Sequence, residues 1–473
     1  MLTLADVLEV LAGIRPDWAT QVITEAIVDS RQVIPGSLFV ALPGERTDGH
    51  DYVQSAFSQG ACFALIQRDL NLPVETMDLR HPTELKLDKS MQPPVCLLVE
   101  NSLQSFQAIA RYWRRKLQLR VIGITGSVGK STTKELIAGV LSQRFKTLKN
   151  PGNLNNEIGL PLTMLRLSEG HEAAVFEMGF YVPGEIAFLC DIALPQVGVL
   201  TNIGTVHAER AGTQEEIARG KAELVEALPP APDGIAILNL DDPLVSDMAN
   251  KTRARVFFYG LDQRADLWAD GIESRGLEGI RFRLHYQNEI IYMRVPLIGR
   301  HSVHTALRAT AVGLVEGLTW QEIVNGLRSG QSQLRLVAVR TEMGALLLDD
   351  TYNASPESML AALNLLDELN GRKVAVLGDM LELGIYERRG HEMVGVRAAE
   401  VVDELITVGE RAHIIAEAAR QSGLSTKKII ELEDSDTATQ LLLGRLSERD
   451  VVLVKGSRGM HLDRITAALE YRE

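Results

Sequence analysis

At 473 residues the chain is too long for one hydrophobic core, and length alone points to roughly two to four domains. Hydrophobic residues make up 45% and charged residues 23%, the balance of an ordinary globular enzyme. A formal net charge of −13 argues against a nucleic-acid partner, because phosphate backbones select basic surfaces; a phosphate site here must be a local exception. Cys62, Cys96 and Cys190 are isolated and odd in number, which fits buried thiols in a reducing cytoplasm and neither disulfides nor a metal knuckle. The opening MLTLADVLEVLAG is acidic and lacks the basic region of a signal peptide, and no run reaches 18 uninterrupted apolar residues. The expectation is a cytoplasmic protein with no membrane span.

Residues 4–11 read as a short amphipathic helix. Residues 29–53, DSRQVIPGSLFVALPGERTDGHDYV, mix a strand at 38–42, fed by the Pro35-Gly36 turn, with polar loops. Ser30, Arg31, Asp48 and His50 lie in those loops, where turn chemistry and a salt bridge explain them as well as ligand contact does. Residues 70–94 are polar and proline-punctuated with no period, and read as one long loop. VCLLVEN (95–101) is a buried strand and 102–118 a helix, so a first domain ends near 118.

The next stretch, VIGITGSVGKSTT (121–133), organises the chain. Residues 121–125 form a short apolar, partly β-branched run suited to a buried strand. Gly126 and Gly129 flank Ser127 and Val128 in a loop able to curl around an anion. Lys130, Ser131 and Thr132 then open a helix with Leu136, Ile137, Val140 and Leu141 on one face. Strand, glycine turn and helix N-terminus together cradle phosphate; Lys130 would reach the β- and γ-phosphates and the Ser131 hydroxyl would ligate Mg²⁺. The spacing G-x-x-x-x-G-K asks for glycine at 124, where Ile stands, so the match is to the shorter form TGSVGKST. An ordinary glycine-rich turn leaves Gly-Lys-Ser at that junction unexplained.

From 119 onward strands alternate with helices: 173–179, 197–204, 234–242 and 255–260 are apolar runs separated by helical stretches. This pattern argues a mostly parallel, doubly wound sheet, whose ligands collect beyond the strand carboxyl ends. Glu177 ends one strand there; Thr201, Asn202, His207 and Glu209 follow another. NPGNLNNEIGLPLT (150–163) crowds Asn153, Asn155 and Asn156 ahead of a helix. A strand-like meander follows 260, then a helix over 304–317. A last α/β set starts near 334, with strands in 345–353, 373–380, 404–410, 428–433 and 451–457 and a helix opened by Pro356 and Glu357. No repeat of solenoid period is present.

Glu177 and His207, both at strand ends beside a phosphate loop, are suited to a Mg²⁺ shared with Ser131. Lys221 is ambiguous: its helix carries Glu215, Glu216 and Glu223, so a solvated, ion-paired lysine explains it as readily as a catalytic one.

These motifs together resemble the Mur ligase family over nearly the whole chain. TGSVGKST is similar to its nucleotide loop, NLNNEIGLPLT to its asparagine motif, EMG at Glu177 to its metal glutamate, TNIGTVHAE to the segment of its metal histidine (His207), and ARGKAE to its carbamylated lysine (Lys221). DSR, DGHDYV, DDTYNASPESM, GDMLELG and KGSRGM resemble the branch that adds D-alanyl-D-alanine. Two positions depart from the pattern. Where the pattern begins G-x-H-N, this chain has Gly299-Arg-His301-Ser302-Val-His304, and Leu334 replaces the glycine before Arg335.

The resemblance implies three α/β domains: a small mixed one (1–118) holding the UDP substrate through Ser30, Arg31, Asp48 and His50; a central doubly wound mononucleotide-binding sheet with its phosphate loop (119–331); and a Rossmann-like one (332–473) that closes over ATP. It implies that Asn155, Asn156, His301, Arg335 and Asp350 join Gly126 to Thr132 around ATP. Ser131, Glu177, His207 and Lys221 (as carbamate) would hold two Mg²⁺, and Lys130, His207 and Lys221 would be catalytic. Tyr352, Asn353, Lys455, Ser457 and Arg458 would hold the dipeptide. The implied reaction is ATP-dependent amide ligation of D-alanyl-D-alanine to a UDP-N-acetylmuramoyl-tripeptide through an acyl phosphate, in a cytoplasmic monomer. The alternatives are the same chemistry on another amine, or a nucleotide-driven switch or transport ATPase. For the switch the sequence offers no repeats, basic patch or amphipathic anchor.

Overall fold

Short apolar runs between turns fill fully buried strands, and the computed structural model, which describes residues 1–44, 47–82, 92–329 and 337–470, bears this out. The chain divides into two units: Met1–Gly123 with Phe145–Gly179 and Glu185–Val197, and Ile124–Arg144 with Phe180–Gly184 and Gly198–Glu473. The division runs through the strands Arg120–Thr125 and Val197–Leu200. Arg335 and Leu334 lie outside the described residues.

The first unit holds a parallel sheet in the order Ala26–Ile27, Leu38–Val40, Phe63–Ile66, Val95–Leu98, Glu75–Asp78. Its core includes Phe39, Phe63, Leu65 and Leu97, all fully buried. The last strand in that order lies inside 70–94, which the sequence reads as loop. Of its four residues only Met77 is buried, so an edge position with a polar face leaves no apolar period to detect. Helix Ser102–Lys116 starts on Asn101, whose side chain accepts Gln104 N–H at 2.9 Å. It buries Phe106, Ile109, Ala110 and Trp113. Trp113 Nε1 donates to the Leu167 carbonyl at 2.9 Å, and Arg114 Nε to that of Ala193 at 2.7 Å. Behind it the first residues of Arg120–Thr125 lie beside Ala173–Glu177, which pairs in parallel with Thr147–Lys149.

In the second unit the sheet order is Glu289–Val295, Ile280–Tyr286, Leu267–Ser274, Arg255–Gly260, Ile235–Asn239, then Gly198 onward, then the end of Arg120–Thr125. The first three strands are the antiparallel meander expected after 260; from Leu267–Ser274 through Ile235–Asn239 pairing is parallel. A further sheet runs Val337–Arg340, Leu346–Asp350, Asp450–Lys455, Arg372–Gly378, Glu404–Val408, Ile429–Leu432, parallel except for its first strand. Helix Pro356–Glu368 begins as read, with a Ser355 capping box and Pro at its start. Among the described residues no helix is long and apolar enough to cross a membrane.

Candidate active site

The strand Arg120–Thr125 delivers the chain into a loop that only glycine permits at its entry. Gly126 has φ +142°, and a Cβ there would fall 1.8 Å from Thr201 Oγ1. Gly129, at φ +83°, starts helix Lys130–Leu141. The first intrahelical bond is Thr133 N–H to Gly129 O at 3.0 Å, so the amides ahead of it lie at the positive end of the helix. Ser127 N–H donates to Asn202 O (2.8 Å) and Val128 N–H to Asn202 Oδ1 (2.9 Å). Those two amides brace the loop ahead of the helix's first turn, Lys130 to Thr132. Gly204 N–H donates to Ser127 Oγ at 2.8 Å.

One carbonyl gathers both lysines expected to be catalytic. Gly126 O accepts from Lys130 Nζ at 2.9 Å and from Lys221 Nζ at 3.1 Å. Lys221 is 1% exposed, with Nζ 4.4 Å from the centre of the Phe180 ring. This overturns the solvated reading of Lys221: the turn of helix Gln214–Glu226 that carries it faces inward, while Glu216 accepts from the Thr213 N–H and Glu223 from that of Gly184. His207 joins the cluster. Burial, then the Lys130 ammonium, pushes its imidazole down to about 4 against the pull of Glu382. Its Nδ1 lies 2.7 Å from Glu382 Oε2 and its ring meets Tyr181 edge-on at 4.7 Å. His207 and Glu382 both have left-handed backbone, at φ 69° and 63°, a conformation a bulky side chain adopts under constraint. Among the described residues no three His, Cys, Asp or Glu side chains form a ready metal cage. Mg²⁺ keeps waters and takes substrate oxygens; an uncharged His207, and Lys221 if carbamylated, would fit it as partial ligands.

Glu177 belongs to the first unit. It is buried, its carboxylate accepts Asn155 Nδ2 at 2.9 Å, and its backbone is held by Asn150 on both sides. Asn156 Oδ1 accepts Gly159 N–H at 2.9 Å, so it shapes the turn into helix Gly159–Met164. In the same unit Arg31 lies in a fork on Asp29, at 2.9 and 2.7 Å, beside a buried Ser30. His50 is buried with both ring nitrogens engaged: Nδ1 with Asp48 at 2.6 Å, Nε2 accepting Gln67 N–H at 3.0 Å. His50 and Asp48 therefore hold their own loop together.

In the last sheet Lys455 is buried against Asp350 at 2.7 Å and donates to Asn353 O at 2.9 Å. Asn353 Oδ1 accepts Ala354 N–H, and Ser457 Oγ accepts Leu381 N–H at 2.9 Å. Tyr352 and Arg458 are exposed and stand together, guanidinium 5.9 Å from ring centre. His301 is exposed ahead of helix Val303–Val315, and Ser302 Oγ donates to Ile298 O at 2.6 Å.

Family models match three successive stretches: "Mur ligase family, catalytic domain" at 23–90, "Mur ligase middle domain" at 124–313, and "Mur ligase, glutamate ligase domain" at 334–458. The UDP-N-acetylmuramoyl-tripeptide–D-alanyl-D-alanine ligase of Bacillus subtilis is 34% identical over 99% of this chain and 98% of its own length. The chain belongs to the Mur ligase family. Among solved Mur ligases, MurF from Acinetobacter baumannii superposes with a TM-score of 0.83 at 30% identity, covering 98% of this chain and 97% of its own. MurF from Thermotoga maritima, solved with ADP, gives 0.77 at 29% identity, covering 94% and 96%.

The sequence points to Lys130, Lys221 and His207 but not to their surroundings: Asn202 reads there only as a polar residue after a strand, and Glu382 only as part of GDMLELG. Phe180 carried no signal, since nothing in the sequence ties it to Lys221.

Proposed function

We infer that this Mur ligase joins D-alanyl-D-alanine to a UDP-N-acetylmuramoyl-tripeptide, driven by ATP, in the making of peptidoglycan precursors. The observation that carries the reading is the convergence of Lys130 and Lys221 on Gly126 O beside a neutral His207, in a chain that matches relatives of that name almost end to end. A peptide carboxylate is a poor electrophile. It first accepts the γ-phosphoryl group, giving an acyl phosphate and ADP; the dipeptide amine then attacks, and phosphate leaves from a tetrahedral intermediate. Lys130 and the first-turn amides neutralise charge on the phosphoryl group in flight. In the second unit Ser131, His207 and carbamylated Lys221 are residues that would hold Mg²⁺, which would supply Lewis-acid charge neutralisation. Residues 1–118 take the UDP end through Ser30 and Arg31. Residues 119–331 bind ATP, with Gly126 to Thr132 at its phosphates. Residues 332–473 close over the nucleotide and present Arg458 to the carboxylate of the dipeptide, excluding water that would hydrolyse the acyl phosphate. ATP and a UDP-linked acceptor assign the reaction to the cytoplasm.

The test is product formation with a panel of UDP-muramoyl peptides and D-amino-acid dipeptides. Ligation of D-alanyl-D-alanine to a tripeptide acceptor well above the other pairs is expected. Preference for another amine would move the chain to a different branch of the family.

A further inference from the structure

Helix Val303–Val315 carries a guanidinium that none of these roles uses. Arg308 is 5% exposed; its Nη2 donates to Thr305 Oγ1 at 2.8 Å, and its Nε is buried with no hydrogen-bond partner. Its guanidinium carbon lies 5.9 Å from the ring centre of Tyr259, a fully buried phenol whose hydroxyl donates to Leu200 O and Thr201 O. Burial and Tyr259 are the influences on its charge, and among the described residues no carboxylate is paired with it. An arginine stays protonated in a protein, so this is a buried positive charge without an anion. Such a group is costly unless something on the molecule or bound to it compensates.

Its position says what compensates. A Cβ placed on Gly129 would fall 3.4 Å from Arg308 Nη2 and 3.9 Å from Nη1, so the guanidinium lies against the left-handed glycine that opens the phosphate-facing helix. Arg308 is also among the charges acting on His301. At the start of the same helix Ser302 Oγ donates to Ile298 O, and Thr305 Oγ1 accepts from Arg308, so the guanidinium is held one turn into the helix.

We propose that Arg308 is a cation of the nucleotide site, bracing the phosphate loop at Gly129 and supplying positive charge to the polyphosphate from inside the fold. The proposal rests on ATP being the nucleotide of this chain. A buried charge is weakly screened, so its attraction acts over several ångströms and grows with the charge of the ligand. In a protein of net charge −13, such a local cation also offsets the unfavourable global field.

Binding of ATP, ADP, AMP and adenosine to the full chain, by calorimetry, tests this on wild type, Arg308→Lys and Arg308→Met, with melting temperatures alongside. ATP should bind Arg308→Met about tenfold or more weakly, ADP and AMP progressively less affected, and adenosine unchanged. Arg308→Lys should fall between, and if Arg308→Met does not fold, the gradation in Arg308→Lys decides. Equal weakening of all four ligands, adenosine included, or no weakening, would overturn the proposal and leave Arg308 a prop for Tyr259. Wild type binding ATP no better than adenosine would overturn instead the nucleotide reading beneath it.

Discussion

Lys221, 1% exposed and hydrogen-bonded to Gly126 O, shares that acceptor with Lys130. Two ammonium groups on one carbonyl repel each other, and a lysine with an ordinary pKa of about 10.4 would also repel Mg²⁺. A carbamate removes both conflicts: it keeps one N–H for Gly126 O and offers carboxylate-like oxygens to a hard ion. Lys221→Ala should then be nearly inactive and recover in part with added acetate. Lys221→Glu should keep more activity than Lys221→Arg, and ¹³C-labelled bicarbonate should give a carbamate resonance that the alanine variant lacks. An arginine variant healthier than the glutamate one would contradict the carbamate. Lys130 has a different task. Lys130→Ala should lose about 10²–10³ in phosphoryl-transfer rate, by analogy with other preorganised donors, while UDP-peptide affinity, measured separately, stays as it was. Near-normal turnover would remove the loop from the chemistry.

At the scale of elements, the ends of strands carry the site and the turns carry themselves. Asp48 caps the turn Gly49–Tyr52, and the His50 N–H, partly opposed by burial, leads in holding its carboxyl down at about 2. A carboxylate whose folded pKa lies below its unfolded value of about 3.9 stabilises the fold above that value, and the contribution is lost as pH falls through the folded pKa. Asp48→Asn should therefore melt lower than wild type at pH 7, with the gap closing towards pH 2. A gap that stays constant with pH would rule this linkage out. In the last sheet Lys455 is buried under Asp350 while Arg458 is exposed beside Tyr352. Arg458→Ala should raise the KM for D-alanyl-D-alanine far more than that for ATP; equal effects would indicate general damage.

These elements also show what a sequence can carry. The buried strands around 121–125 and 451–455 announce themselves because both faces are apolar, and the Ser355-Pro356 helix start because capping is local. The strand Glu75–Asp78 does not, because an edge strand with one buried residue has no period. Lys221 was legible as a residue of interest but not as buried, since its helix neighbours are acidic and only the fold turns it inward. Arg308 had no signal: its partner is a glycine far off in the chain.

For the molecule as a whole, ligation requires that ATP is used only when both other substrates are in place. In the second unit the segment from Thr205 to Gln214 and the last α/β segment touch around His207. His207 meets Glu382, Thr205 N–H donates to Glu357 at 3.3 Å, and Gln214 N–H to the Tyr386 hydroxyl at 3.1 Å. On the proposed function, such contacts would let the segment that presents the amine also position His207 for phosphoryl transfer. A switch or transport ATPase has no need of that coupling and would hydrolyse ATP without an amine acceptor. The most direct measurement is phosphate release by the purified chain with ATP and Mg²⁺, adding UDP-N-acetylmuramoyl-tripeptide and D-alanyl-D-alanine singly and together. Sustained release only with both, one phosphate for each dipeptide joined, is the predicted result; steady release with neither would contradict the ligase account.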